Sequence, residues 1–469
     1  MTPKAKNMTQ TTPTAQTQTV DFDHLPLNRF HFRITALTFG AHFNDGFAVG
    51  IIGMAIVLIG QQGAMELNAW WTGALGAGAL FGLFAGAMLF GSVADRLGRQ
   101  KIFTISFVVI TVATLAQFWV QEPWQLLALR IILGLGIGGD YAVGHAMLAE
   151  ILPQKRRGEI LGSFSVIWTF GYVLATMLGI WFMQSGIEDA WRWMLIAPGF
   201  IAAIVLVARI GTPESPRWLQ REGRDAEARA ILDKHFGTNV VMQREVETEA
   251  GGFSALFSRR YLRRTLFNCI FFACIVMPYF AIYTFLPNIL DSMGLSNLAS
   301  TGSGYAVEVY LNVFLLAGAL AGIWATAKFT RRGFLIGSLI VLTCSLVALA
   351  LVPTAATVVS VVLFAVFTFV LSAVSNLVGV FPAESFPTPV RSSGIGFATA
   401  ISRLGSVIST FLLPVLMASF GVGPTMLVLA GVLAVGLVVS VLWAPETKHQ
   451  SLSDSGLVSL PELGEPDAR

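Results

Sequence analysis

The chain has 469 residues, 55% of them hydrophobic and only 12% charged. A soluble domain carries about 25% charged residues, so this composition excludes a soluble globular protein and requires a lipid bilayer. The formal net charge of +3 makes no electrostatic case for a nucleic-acid partner.

The first 33 residues are polar and rich in Thr and Gln, without the apolar core or cleavage site of a signal peptide. They are expected to form a disordered cytoplasmic tail. Long, continuous apolar runs follow, which favour spanning helices over the alternating strands of a barrel. Six spans are predicted near 34–60, 70–93, 102–120, 125–150, 159–183 and 192–210. The polar segment 211–264 comes next, and within it REGRDAEARAILDKHF (221–236) reads as an amphipathic cytoplasmic helix. Six more spans are predicted near 265–290, 303–327, 334–353, 356–381, 392–420 and 424–443. The expected layout is an N-terminal tail (1–33), a six-helix half (34–210), a central cytoplasmic loop (211–264), a second six-helix half (265–443) and a C-terminal tail (444–469). Cys269, Cys274 and Cys344 all fall in apolar runs, as small buried hydrophobes do, and not in a disulfide or zinc pattern.

Charge in the loops sets the orientation. Arg96, Arg99, Lys101, Lys155, Arg156, Arg157, Lys328, Arg331, Arg332 and Arg391 fall on one side, with the arginines of 211–264. Loops on the other side carry Glu66, Glu122, Glu188, Asp189 and Asp291. Basic loops stay in the cytoplasm, so both termini are expected inside a cell inner membrane. The halves also repeat each other. AEILPQKRRGEILG, from Ala149, aligns with AESFPTPVRSSGIG, from Ala383. GSVADRLGRQK, from Gly91, has a decayed counterpart in GIWATAKFTRR, from Gly322, and the PES at Pro213 recurs as the PET at Pro445. This is the parallel-repeat plan of secondary transporters, with the site between the halves.

GSVADRLGRQK matches the loop signature of the major facilitator superfamily between its second and third helices. Arg130 with Gly134, Gly136 and Gly138 fits that superfamily's fourth-helix pattern. The chain therefore resembles the major facilitator superfamily over nearly its whole length. PESPRWL (213–219), PETK (445–448) and PAESFPTPVR (382–391) are similar to the sugar-porter branch. GGDY (138–141) resembles the fourth helix of phosphate:proton symporters, where the aspartate is implicated in proton coupling and phosphate binding. DGFAVGIIG (45–53) resembles the first-helix motif of aromatic-acid:proton symporters, with Ala48 in place of that motif's second aspartate. ISRLGSVIS (401–409) is similar to a motif of organic-acid symporters, and the sugar porters' seventh-helix pattern is missing from 274–290. The resemblance implies an all-α integral membrane protein of 12 transmembrane helices in two pseudo-symmetric six-helix halves.

Three ionisable residues fall near mid-span: Asp45 in the first, Asp140 in the fourth and Arg403 in the eleventh. Embedded ionisable groups mark ion or substrate paths. Each aspartate reads either as a proton carrier or as a permanent ion-pair partner. Arg403 keeps its charge and presents a planar fork of donors, which suits a substrate carboxylate or phosphate; the alternative is a salt bridge to Asp45 or Asp140. Arg130 either snorkels to the interface or biases the proton on a nearby aspartate. His145 reads as a packing residue and Glu308 as a solvated group near the outer surface. Tyr279, Tyr283 and Asn376 join Asp45, Asp140 and Arg403 as candidate substrate contacts. Clustered glycines in the second and fourth spans read as tight helix contacts.

At the cytoplasmic end, Gly91, Asp95, Arg96, Gly98, Arg99, Glu150, Arg157, Glu384 and Arg391 are the candidate gate. Asp95 is placed against the N-terminus of the eleventh span, Arg99 against Glu150, and Glu384 against Arg157 or Arg391. No metal cluster, nucleophile–base set or nucleotide loop is present in the sequence, so neither an enzyme nor a cofactor is expected. The expectation is a monomeric, proton-coupled secondary transporter that imports a small organic anion such as a carboxylic or aromatic acid. A sugar or polyol, phosphate, and proton-driven export remain open.

Overall fold

The computed structural model describes residues 20–22, 25–242, 253–295, 305–351, 357–386 and 390–447. Twelve helices among them are long and apolar enough to cross a membrane.

The first half runs α1 (Arg29–Gln61), α2 (Ala69–Leu97), α3 (Arg99–Ala116), α4 (Pro123–Ile151), α5 (Gln154–Gly162), α6 (Phe164–Gln184) and α7 (Ala190–Arg209). Short helices α8 (Pro216–Arg221) and α9 (Asp225–His235) follow. The second half runs α10 (Leu262–Thr284), α11 (Leu286–Ser292), α12 (Ala306–Lys328), α13 (Arg331–Leu351), α14 (Thr357–Val374), α15 (Leu377–Ser385), α16 (Arg391–Phe420) and α17 (Val422–Trp443). A two-residue parallel pair, β1 (Val20–Asp21) and β2 (Val240–Val241), pins the segment before α1 to the segment after α9.

Local signals explain the helix starts. Asn28 caps α1, its side chain accepting from Phe30 and His31 N–H. Asn68 caps α2 in the same way. Pro123 opens α4 at the position where a missing N–H costs nothing. Three predicted spans are interrupted. The fifth divides between α5 and α6 at Ser163, the seventh between α10 and α11 at Phe285, and the tenth between α14 and α15 at Ser375 and Asn376. Hydropathy sees only the apolar run, not the backbone break inside it.

The packing repeats between halves. In the first, α2 lies on α4, α1 on α6 and α7, and α3 on α4 and α7. In the second, α12 lies on α14, α10 on α16 and α17, and α13 on α14 and α17. Between halves, α2 packs on α16 and α6 on α12. The outward faces stay apolar, as lipid requires: Ile204 is 71% exposed, Val358 72% and Leu442 60%. The α2/α4 contact depends on its glycines. A Cβ on Gly82 would overlap the Ile131 carbonyl, and one on Gly134 would overlap that of Ala79, so the two backbones touch directly.

Candidate functional site

Asp45 and Asp140 come together in the first half, inside a cluster that also holds His42 and Arg209. One ring nitrogen of His42 and one carboxylate oxygen from each aspartate lie within 4.8 Å of one another. All are buried: Asp45, Asp140 and Arg209 have no exposure and His42 has 2%. Arg209 Nη1 donates to Asp140 Oδ1 at 2.6 Å and to the Phe103 carbonyl at 2.6 Å. Its guanidinium lies against the Phe103 and Phe107 rings, at 3.3 and 3.9 Å. Among the described residues, neither oxygen of Asp45 has a hydrogen-bond partner, nor do Asp140 Oδ2 and His42 Nε2. The trio's spacing would admit a small cation. Arg209, however, already supplies positive charge to Asp140.

Arg209 and His42 are the cluster members that sequence reasoning missed. Arg209 closes α7 beside a polar segment and so resembles a loop charge; His42 is a lone imidazole in an apolar run. The available signal was Asp140 itself, since a buried carboxylate calls for a cation.

Arg403 sits apart from both aspartates and forms no ion pair among the described residues, so the alternative of a salt bridge to either is not realised. Its guanidinium lies over two rings, Phe280 of α10 at 5.3 Å and Tyr141 of α4 at 5.8 Å. The Tyr141 ring stacks on His42 at 4.8 Å, which links Arg403 to the acidic cluster across the halves. Phe280 belongs to a belt in which Trp168 meets Phe280, Tyr279 and Tyr172 at 5.7, 6.0 and 5.9 Å. Tyr279 meets Tyr283 at 4.9 Å, and the Tyr172 hydroxyl donates to the Tyr283 carbonyl at 2.6 Å.

Other candidates are placed differently. Arg130 does not snorkel: it is 1% exposed and donates to the Ala48 carbonyl at 2.9 Å, one turn beyond Asp45. The amide of Asn376 is spent within the protein. It accepts from Ser165 Oγ at 2.8 Å and donates to the Ala319 and Ala373 carbonyls. His145 packs as expected, its Nδ1 on the Tyr141 carbonyl at 2.9 Å. Glu308 is not solvated; it is only 3% exposed.

At the basic end the gate residues form two similar networks, one in each half. Arg99 Nη2 lies 3.2 Å from Glu150 Oε1, while Glu150 also accepts from Ser215 Oγ at 2.5 Å. Arg331 Nη2 lies 3.1 Å from Glu384 Oε1, while Glu384 also accepts from Thr447 Oγ1 at 2.5 Å. Glu214 accepts from Gln100 N–H at the start of α3, and Glu446 from Arg331 and Arg332 N–H at the start of α13. Burial pushes the Glu214 carboxyl above the usual glutamate range, against the pull of the N–H groups it accepts from. Gly98, between α2 and α3, has φ 106 and no room for a Cβ beside Glu214. Glu384 pairs with Arg331, a partner not foreseen for it, and each of these two ion pairs joins helices of one half. The side chains of Asp95, Arg96, Arg157 and Arg391, and Gly91, lie outside the described residues.

The profile of the family described as "Sugar (and other) transporter" matches residues 33–456. This chain belongs to that family, within the major facilitator superfamily. It is 50% identical to the inner membrane metabolite transport protein YgcS of Escherichia coli K12, over 94% of this chain and 97% of that one. It is 24% identical to the niacin transporter NiaP of Acinetobacter baylyi, over 93% and 98% of the two chains. It is 30% identical to a D-xylose transporter of Levilactobacillus brevis, over 90% and 94%. Among solved structures, a partially occluded inward-open form of the Escherichia coli xylose transporter XylE matches with TM-score 0.75 at 18% identity, covering 90% of this chain and all of that one. The protein is thus a multi-pass membrane transporter of the major facilitator fold.

Proposed function

We propose that the protein is a proton-coupled symporter that imports a small aromatic or aliphatic carboxylate by alternating access. The observation that carries this reading is Arg403: a fixed cation between the halves, without a carboxylate partner among the described residues, flanked by Phe280 and Tyr141. A guanidinium in that setting pairs with a carboxylate, and the neighbouring rings of Trp168 and Tyr279 suit a flat apolar body. The buried carboxylates of Asp45 and Asp140 supply the coupled proton's site, joined to Arg403 through Tyr141. One relative is named as a niacin transporter, and niacin is an aromatic carboxylate. In this reading the basic end faces the cytoplasm of an inner membrane, the location in the name of YgcS. Arg99, Glu150, Arg331 and Glu384 brace that end within each half.

A second reading, uptake of a sugar, is favoured by the relative named as a D-xylose transporter. Thermal-shift screening against nicotinate, benzoate, xylose and phosphate separates the two, followed by uptake into proteoliposomes under an imposed pH gradient. Stabilisation by nicotinate or benzoate and gradient-driven uptake supports the carboxylate reading; stabilisation by xylose alone replaces it with the sugar reading.

A further inference from the structure

The trio of His42, Asp45 and Asp140 is invisible in the sequence spacing. His42 and Asp45 lie one turn apart on α1, while Asp140 comes from α4. The fold brings one ring nitrogen and one oxygen of each carboxylate within 4.8 Å of one another. Arg209 does not use up these donors. Its Nη1 donates to Asp140 Oδ1 and to the Phe103 carbonyl, both at 2.6 Å. Among the described residues, that leaves Asp140 Oδ2, both oxygens of Asp45 and His42 Nε2 without a partner, all of them buried. Two carboxylates against one guanidinium also leave one negative charge in excess away from water, at an effective cost of several kcal/mol.

We propose that His42, Asp45 and Asp140 bind a divalent transition-metal ion of the zinc and cobalt class. The inference goes beyond the transport reading and needs none of it. A nitrogen with two carboxylate oxygens is a donor set of that class, whereas magnesium and calcium take oxygens alone. Three protein ligands leave a fourth position for water.

The surrounding contacts are those that orient metal ligands. His42 Nδ1 lies 3.2 Å from the Thr38 carbonyl. A carbonyl only accepts, so Nδ1 carries the ring's hydrogen and Nε2 presents a lone pair. Phe164 and Tyr141 stack on the ring at 4.1 and 4.8 Å and fix its plane. Arg209 orients Asp140 through its other oxygen. Zinc bonds of about 2.0–2.2 Å require ligand atoms about 3.5 Å apart. Asp45, which no hydrogen bond holds among the described residues, is the side chain free to close the remaining gap. With Arg209 retained, a divalent ion turns the excess to one positive charge. Ionisation of the bound water, which occurs near neutral pH on zinc, releases a proton to the solvent and brings the site to neutrality.

Visible absorption of cobalt(II), titrated alone into the tag-free full chain in detergent, reads the site without any substrate. The expected result is a saturable ligand-field band at one equivalent, displaced by zinc(II). His42→Ala and Asp45→Asn should each weaken cobalt binding by at least about tenfold. The double variant Asp140→Asn with Arg209→Gln, which removes the ion pair as a neutral unit, should do the same. His235→Ala, on α9, should change nothing. His42→Cys guards against loss through misfolding: it should still bind cobalt and add a thiolate-to-cobalt charge-transfer band. Absence of a saturable band, a band unchanged in both His42→Ala and Asp45→Asn, or a His42→Cys protein without the charge-transfer band overturns the proposal. Under the transport reading, zinc should also block uptake driven by a pH gradient. Cobalt binding as described, with uptake that zinc leaves untouched, would remove the aspartates as the proton's site and leave the metal site standing.

Discussion

Arg209 and Asp140 form an ion pair at 2.6 Å with neither side chain exposed, tying the end of α7 to the middle of α4. Breaking such a pair from one side strands a buried charge. Arg209→Gln should therefore cost about 3–5 kcal/mol of stability, the range seen when one partner of a buried pair is removed. Adding Asp140→Asn should restore much of it, because the pair leaves as a neutral unit. Thermal denaturation of the four proteins in detergent checks this as a double-mutant cycle.

Arg403 has a different task and a different expected signature. Arg403→Ala should weaken binding of a carboxylate such as nicotinate by about tenfold to a hundredfold, the value of one charged hydrogen-bond partner. Arg403→Lys should recover part of the loss, since it keeps the charge and loses the planar fork. Titration calorimetry with nicotinate on all three proteins measures both effects.

The two networks at the basic end predict where coupling lies. Arg331→Ala and Glu384→Ala should interact by about 1 kcal/mol, as a partly exposed pair does. Arg99→Ala and Glu384→Ala should add independently, because their partners sit in different halves. Melting temperatures of the single and double variants distinguish the two cases.

Close backbone approach gives a steric test. Gly82→Leu should prevent α2 from seating on α4, where a Cβ already meets the Ile131 carbonyl. Gly60→Ala meets nothing within 4 Å and should be neutral or stabilising by up to about 1 kcal/mol. Size-exclusion profiles of the expressed variants show which chains fold.

Much of the architecture was legible because the bilayer simplifies the code: apolar length alone marks a span. The Arg99–Glu150 pair was legible for a related reason, since its motif stands intact. The Arg331–Glu384 pair was not legible because the copy of that motif has decayed. Aligning GSVADRLGRQK with GIWATAKFTRR sets Arg99 against Thr330, one position short of Arg331, which pairs with Glu384. Arg209 was hidden by position, at a helix end where arginines ordinarily mark topology. The breaks at Phe285 and Ser375 were hidden by composition, since apolar residues continue through them.

The most direct test of the account is nicotinate uptake into proteoliposomes with and without an inward proton gradient, comparing the natural protein with Asp45→Asn. The account predicts gradient-driven accumulation by the natural protein, and an Asp45→Asn variant that exchanges nicotinate across the membrane but does not accumulate it. Equal accumulation by both proteins under the gradient would contradict it.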